Sequence, residues 1–314
     1  INVDHNMNAV GYQIKNNVLF DNAVGMSISD YSNSNGPNAV YPYYVSNYND
    51  VYDGNVIYGL HKDQICVRFY NCYSAQPTDF GTFTNNRYFN PYNEMSIFLF
   101  SFQAGQRYFS LERWQAERGE ETGSTRSPLR MEEQATIAEL SANLVPGGAF
   151  PNNVTGWTAW PSNAQITHDM SQLDNGCLKA YIPDNSVYPT LSLRNPDWFS
   201  VEDQQWYRLD LSMKSNVNGQ VIVGLKGQSQ QSNPYTICER QIPFSTERRD
   251  LHLYSQATMT DQAQLLLVSQ YTDPTYYLDN VQLHKVSVQQ LDPNEDHIIL
   301  VNDQATPQDF PLTG

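Results

Sequence analysis

The turn His61-Lys62-Asp63, followed closely by Arg68, gathers an imidazole, an ammonium, a carboxylate and a guanidinium in one short stretch. Proton transfer uses these types: a base, and a cation to hold developing negative charge. A charged, solvated, inert turn has the same composition and is the plainer reading; His5 beside Asp4 is a weaker pair. A second set is aromatic. Trp160, Tyr188 and Trp198, with Arg194 as polar partner, suit a ligand that has flat CH faces and many hydroxyls, because aromatic rings give large contact area. Trp206 with Gln205 belongs to the same set, but Trp157 and Trp206 also fit a core, where large aromatics usually lie. Neither Gly-x-Ser-x-Gly, His-Glu-x-x-His nor a phosphate loop occurs. Paired carboxylates for glycoside hydrolysis are defined by separation in space, so the sequence assigns none.

Charge narrows the ligand class. The chain carries 33 Asp+Glu against 18 Lys+Arg, a net charge of -15. Nucleic acid and anionic membrane surfaces need neutralising Lys and Arg, so both are excluded as partners and a neutral polysaccharide is compatible. No apolar run approaches the ~20 residues that span a bilayer, so membrane insertion is not expected. The four cysteines, Cys66, Cys72, Cys177 and Cys238, match no zinc spacing. Cys66 and Cys72 are close enough for a disulfide; buried free thiols are the equal alternative. Ile1 opens directly into strand-like sequence and the chain stops abruptly at Gly314, which reads as a processed or partial piece of a longer protein.

The elements that would position these residues are strands. The first hundred residues hold 17 Asn, and three phrases repeat: Asn16-Asn17-Val18-Leu19-Phe20, Gly54-Asn55-Val56-Ile57-Tyr58 and Asn85-Asn86-Arg87-Tyr88-Phe89. The intervals between Asn17, Asn55 and Asn86 are those of stacked coils. Asn tolerates tight left-handed corners, and stacked Asn side chains can bond as a ladder. Val18, Phe20, Val56, Tyr58 and Phe89 are the expected inward positions, and a loop such as 31–44 is expected to build a binding face. An antiparallel sandwich with Asn-rich turns is the lesser alternative. Phe83 to Pro91 resembles the last coils of bacterial right-handed parallel β-helix proteins, and Phe109-Ser110-Leu111-Glu112-Arg113-Trp114 to Gly119 resembles their closing helix, although Glu120-Glu121 departs from the usual pattern. That family includes polysaccharide lyases, glycoside hydrolases and epimerases. The resemblance makes His61, Lys62 and Arg68 candidates for taking a proton beside a uronate carboxylate, with any earlier catalytic coils lying outside this chain.

Charge density jumps after the coils: residues 101–140 hold 12 charged residues, as many as the whole first hundred. Met131 to Leu140 reads as a strand or a frayed helix. Beyond it, alternating segments at Leu178–Ile182, Thr190–Leu193, Trp206–Lys214, Gln220–Leu225, Asp250–Leu253 and Gln264–Val268 predict an antiparallel sandwich. Asn143-Leu144-Val145-Pro146-Gly147-Gly148-Ala149-Phe150, the Gly156-Trp157 pair and Tyr277-Leu278-Asp279-Asn280-Val281 resemble the bracketing phrases of β-jelly-roll carbohydrate-binding modules. The resemblance implies a sugar site, and a structural calcium held partly by Asp279, but Pro151 stands where those modules often have Glu.

The expectation is an all-β chain: a right-handed parallel β-helix end over 1–125, a linker over 126–142, a jelly-roll sandwich over 143–288, and over 289–314 the start of a further β-domain, with His297 to Asn302 its first strand. The expected function is polysaccharide recognition by a secreted or cell-surface bacterial protein, part of a multidomain polysaccharide-degrading lyase or hydrolase, without an organic cofactor. The rival is a structural or adhesive surface protein, or a cargo of a secretion or outer-membrane assembly, with protein partners there.

Overall fold

The computed structural model describes residues 1–3, 9–29, 47–71, 80–101, 105–174, 176–183, 190–229, 236–269, 275–295, 306 and 309. Asp4, His5, the whole 31–44 loop, Cys72, Tyr188 and the His297–Asn302 segment lie outside the described residues.

Three sheets of stacked parallel strands carry the first unit, with Ala9–Val10 paired to Asn47–Tyr48 as a further two-stranded sheet, and the chain visits the three in turn. Gln13–Lys15, Val51–Asp53 and Thr82–Thr84 stack in register. Val18–Phe20, Val56–Tyr58 and Arg87–Phe89 stack likewise, with Thr125–Arg126 added at the end. The third sheet stacks Asn2–Val3, Val24–Ser29, Ile65–Asn71 and Ile97–Ser101, then closes with antiparallel Gly105–Phe109. A helix, Leu111–Arg118, follows. Ser110 caps its start by accepting from the Arg113 N–H, and Gly119 ends it in the left-handed conformation at φ 68°. Its Trp114 is buried and stacks on Phe69 with centroids 4.8 Å apart.

The interior is built from equivalent residues in successive coils. Ile14, Tyr52 and Phe83 align, as do Leu19, Ile57 and Tyr88. Tyr52 and Phe83 stack with centroids 4.4 Å apart. The expected inward set is thus displaced by one residue: Val18 is 68% exposed, and Phe20, Val56, Tyr58 and Phe89 are only half-buried. The reason is the Asn ladder. The Asn55 Nδ2 donates to Asn86 Oδ1 at 3.0 Å, and the Asn17 Nδ2 to Asn55 Oδ1 at 2.9 Å. Asn55 and Asn86 are fully buried. Asn turns inward, so with a strand period of two the next inward residue is two positions on, and the intervening one faces out. Glu121 ends the ladder: buried at φ 66°, it accepts from Asn86, Ser124 and Tyr88. Burial lifts its carboxyl above the usual range. Its place after Gly119 is therefore a buried polar end-cap, not a break in the coil pattern.

The second unit is a sandwich of two antiparallel sheets with their own core. One sheet runs Gln165–Asp169, Cys177–Tyr181, Thr275–Gln290, Trp206–Ser215, Arg249–Gln256; the other runs Thr158–Trp160, Leu191–Arg194, Asp261–Ser269, Gly219–Gly227, Thr236–Phe244. Leu193, Met213, Leu253, Leu267 and Leu278 meet between them. The two bracketing phrases touch: the Val281 N–H donates to Gly148 O, and a Cβ on Gly148 would fall 2.3 Å from Val281 O, so only glycine allows this approach. Gln134–Glu139 forms a strand antiparallel to the end of Thr275–Gln290, so the sandwich sheet begins inside the expected linker.

Buried ion pairs join the units. Glu94, only 6% exposed, meets Arg126, Arg130 and, from the sandwich edge, Arg249. Arg240 pairs with Glu132 and donates to Tyr92 O. The thiols of Cys66, Cys177 and Cys238 are free. Of the two equal alternatives for Cys66, the buried free thiol is the one found, and desolvation pushes it up to about 12.

Candidate functional site

The sheet that begins at Thr158–Trp160 presents an outward face whose side chains follow from alternation. In Leu191–Arg194 the two leucines go to the core, so Ser192 and Arg194 face out. Trp160 lies opposite Ser192 and is 50% exposed. Across the sheet Ser192 pairs with Val268, and Arg194 with Leu266, both buried. Lys226 shares this face: burial and the Arg194 guanidinium both depress its ammonium.

Trp198 is presented by a pinned turn. The Asn195 Oδ1 accepts from the Leu265 N–H, its Nδ2 donates to Asp197 O, and the Gln264 Nε2 donates to Asn195 O. Trp198 is 42% exposed, while the next residue, Phe199, turns inward opposite Ala263. Trp160 is level with position 268 of one strand, and Trp198, just before Phe199, with position 264, which sets them about 14 Å apart along the strand at about 3.4 Å per residue. Two exposed indoles at that separation, with the outward Arg194 on the same sheet, can stack a short neutral oligosaccharide and hydrogen-bond its hydroxyls.

Trp157 is a core residue, edge-on to Phe150. The Gln205 Nε2 donates to Trp206 O and Val286 O. Trp206 is half-buried, and it borders a cleft instead of completing the core.

His61, Lys62 and Arg68 do not converge. His61 and Lys62 both sit at Glu133, at 3.6 and 3.5 Å, and the Lys62 N–H donates to the same carboxylate. Arg68 instead bonds Ser27 Oγ and lies over the Tyr70 ring. The first two are a turn anchored to the stretch after the coils, and the third belongs to the sheet. Period two separates them, because Arg68 points along its strand's outward row.

Among the described residues no three His, Cys, Asp or Glu gather as a metal site. Asp279 is buried, and its Oδ1 accepts from the Asn280 N–H at 2.7 Å. Desolvation, then the nearby Asp174 charge, raise its carboxyl to about 6, and the shared hydrogen bond with Asp174 favours its protonated form. Asp174 in turn pairs with Arg248 at 2.6 Å.

A pH dependence follows. The folded state holds the Asp279 proton more tightly than the unfolded chain, so stability contributed here falls as pH rises from about 4 through 6. Asp279→Asn keeps the acceptor and replaces the proton. It is expected to be more stable than the parent above pH ~7, by up to about 3 kcal/mol, with the advantage gone below pH ~4. Urea unfolding at several pH values, with and without added calcium, checks this; a destabilised variant, or a parent stabilised by calcium, refutes it.

No protein-family model and no curated protein matches the chain. Solved structures do resemble parts of it. The CBM22-1 xylan-binding domain from Paenibacillus barcinonensis Xyn10C aligns over 48% of this chain and 99% of its own, at 15% identity and TM-score 0.37. The TmCBM61 module, solved with β-1,4-galactotriose, aligns over 46% of this chain and 99% of its own, at 11% identity and TM-score 0.32. The enzymatically active domain of tailspike protein 4 of bacteriophage CBA120 aligns over 87% of this chain but 44% of its own, at 12% identity and TM-score 0.37. At these scores the likenesses carry no argument, and the two-sheet antiparallel sandwich rests on the strand pairing itself.

Proposed function

We propose that the sandwich recognises a neutral polysaccharide, and that the chain is part of a larger secreted or cell-surface protein that degrades polysaccharide, with the first unit as the end of a right-handed parallel β-helix. One observation carries this reading: Trp160 and Trp198, large and apolar, both stand half exposed, and Trp160 lies beside the outward Ser192 and Arg194. Exposed aromatics on a regular, rigid face suit stacking better than core packing. The net charge of -15 favours an uncharged glycan over a polyanion. His61 and Lys62 meet at Glu133 while Arg68 bonds Ser27, so the recognition reading does not rest on them.

Affinity electrophoresis tests it. In native gels cast with xylan, galactan or β-glucan, the chain is expected to be retarded by at least one of them. Equal mobility in all three, matching a gel without glycan, would leave the spacer or adhesive reading in its place.

A further inference from the structure

A cleft of about 660 Å³ lies between the coil unit and the sandwich edge, away from the Trp160 face. The coil side contributes Lys62, Tyr92 and Tyr108; the sandwich side contributes Trp206, Arg240 and Tyr254. Its size falls within the range of about 300–1,000 Å³ usual for small-ligand pockets. Both walls are fixed: Arg240 is held by Glu132 and donates to Tyr92 O, and Glu94 ties Arg249 to the coil side. The cleft therefore exists only when the units are docked.

Its chemistry selects the ligand. Three partly exposed aromatic residues line it, Tyr108, Trp206 and Tyr254, and Lys62 Nζ stands 5.9 Å from the Trp206 ring centroid. Lys62 and Arg240 are already paired with Glu133 and Glu132, and Asp63 and Glu239 add two further carboxylates to the lining, so an anionic ligand is disfavoured. Amides and hydroxyls from Asn93, Gln241, Ser255, Gln256 and Thr258 complete the lining. Rings to stack on, mixed donors and acceptors, and already-paired cations together describe a partner for an uncharged, hydroxyl-rich chain.

We infer that this cleft is a second saccharide site, which takes a short neutral oligosaccharide segment and is formed jointly by the coil unit and the sandwich. The inference rests on the proposed function only for the class of ligand; the residues are different.

Titration calorimetry of the whole chain with xylohexaose and cellohexaose separates the two. The parent is expected to show two classes of site with at least one of these sugars. Trp160→Ala/Trp198→Ala should remove one class and leave the other. Trp206→Ala should weaken the remaining class about tenfold or more. Tyr108→Ala, from the opposite wall, should do the same, so a folding defect in one variant does not decide the matter. A single class lost wholly with Trp160 and Trp198 overturns the inference and keeps the sheet-face reading. A single class lost only with Trp206 and Tyr108 does the reverse. No heat with either sugar overturns both.

Discussion

Glu94→Ala is expected to destabilise the protein by about 3–5 kcal/mol, the cost of breaking a buried charge network by removing one partner. Glu94 lies at the junction, and its loss leaves Arg126, Arg130 and Arg249 with only Glu112 and Glu132 among them. Burial already depresses the Arg130 guanidinium, the Glu132 charge partly restores it, and Glu94 adds to that support. Glu94→Gln should cost nearly as much, because the charge is what is missing. Glu112→Ala is the control: Glu112 is 37% exposed, and exposed pairs contribute about 0–1 kcal/mol. Urea denaturation followed by fluorescence measures all three. The variant should also separate the unfolding of the two units, since Arg249 and Arg240 are the sandwich's anchors on the coil side. A Glu94 variant within about 1 kcal/mol of the parent, with one unchanged transition, would mean that the network does not couple the units.

The second large effect concerns binding. Trp160→Ala should weaken retention by a neutral polysaccharide about tenfold or more, and Trp198→Ala by a similar factor. Both indoles are half exposed, so neither deletion empties a core and the melting temperature should stay nearly constant. Trp157→Ala is the contrast: Trp157 is 7% exposed and packs on Phe150, and its loss should destabilise by about 3–5 kcal/mol. Affinity electrophoresis beside thermal unfolding separates the two behaviours. Should Trp160→Ala and Trp198→Ala both migrate like the parent in glycan gels, the outward face is not the binding surface.

What sequence alone determined is local or periodic. The spacing of Asn17, Asn55 and Asn86 placed a ladder, because one residue type repeating at coil length must stack on itself. Alternation located half of the twelve described sandwich strands, and the phrases around Gly148 and Val281 do meet, although the sheet itself begins earlier, at Gln134. The exposed Trp160 and Trp198 were legible as ligand candidates by type alone. Tertiary structure decided the rest. The coil interior moved by one residue, since a period of two leaves the inward face undefined until something fixes the parity, and here the buried Asn side chains do. Met131 to Leu140 became a strand because Thr275–Gln290 offered it an edge, a partner more than a hundred residues away. His61 and Arg68, neighbours in sequence, went to different partners. Glu94 and Trp206 gave no sequence signal: one is a charge among charges and the other an aromatic in a strand. Only the meeting of the coil unit with the sandwich edge makes the first a junction and the second the wall of a cleft, because burial and charge pairing between distant segments are properties of the docked units rather than of either stretch of chain.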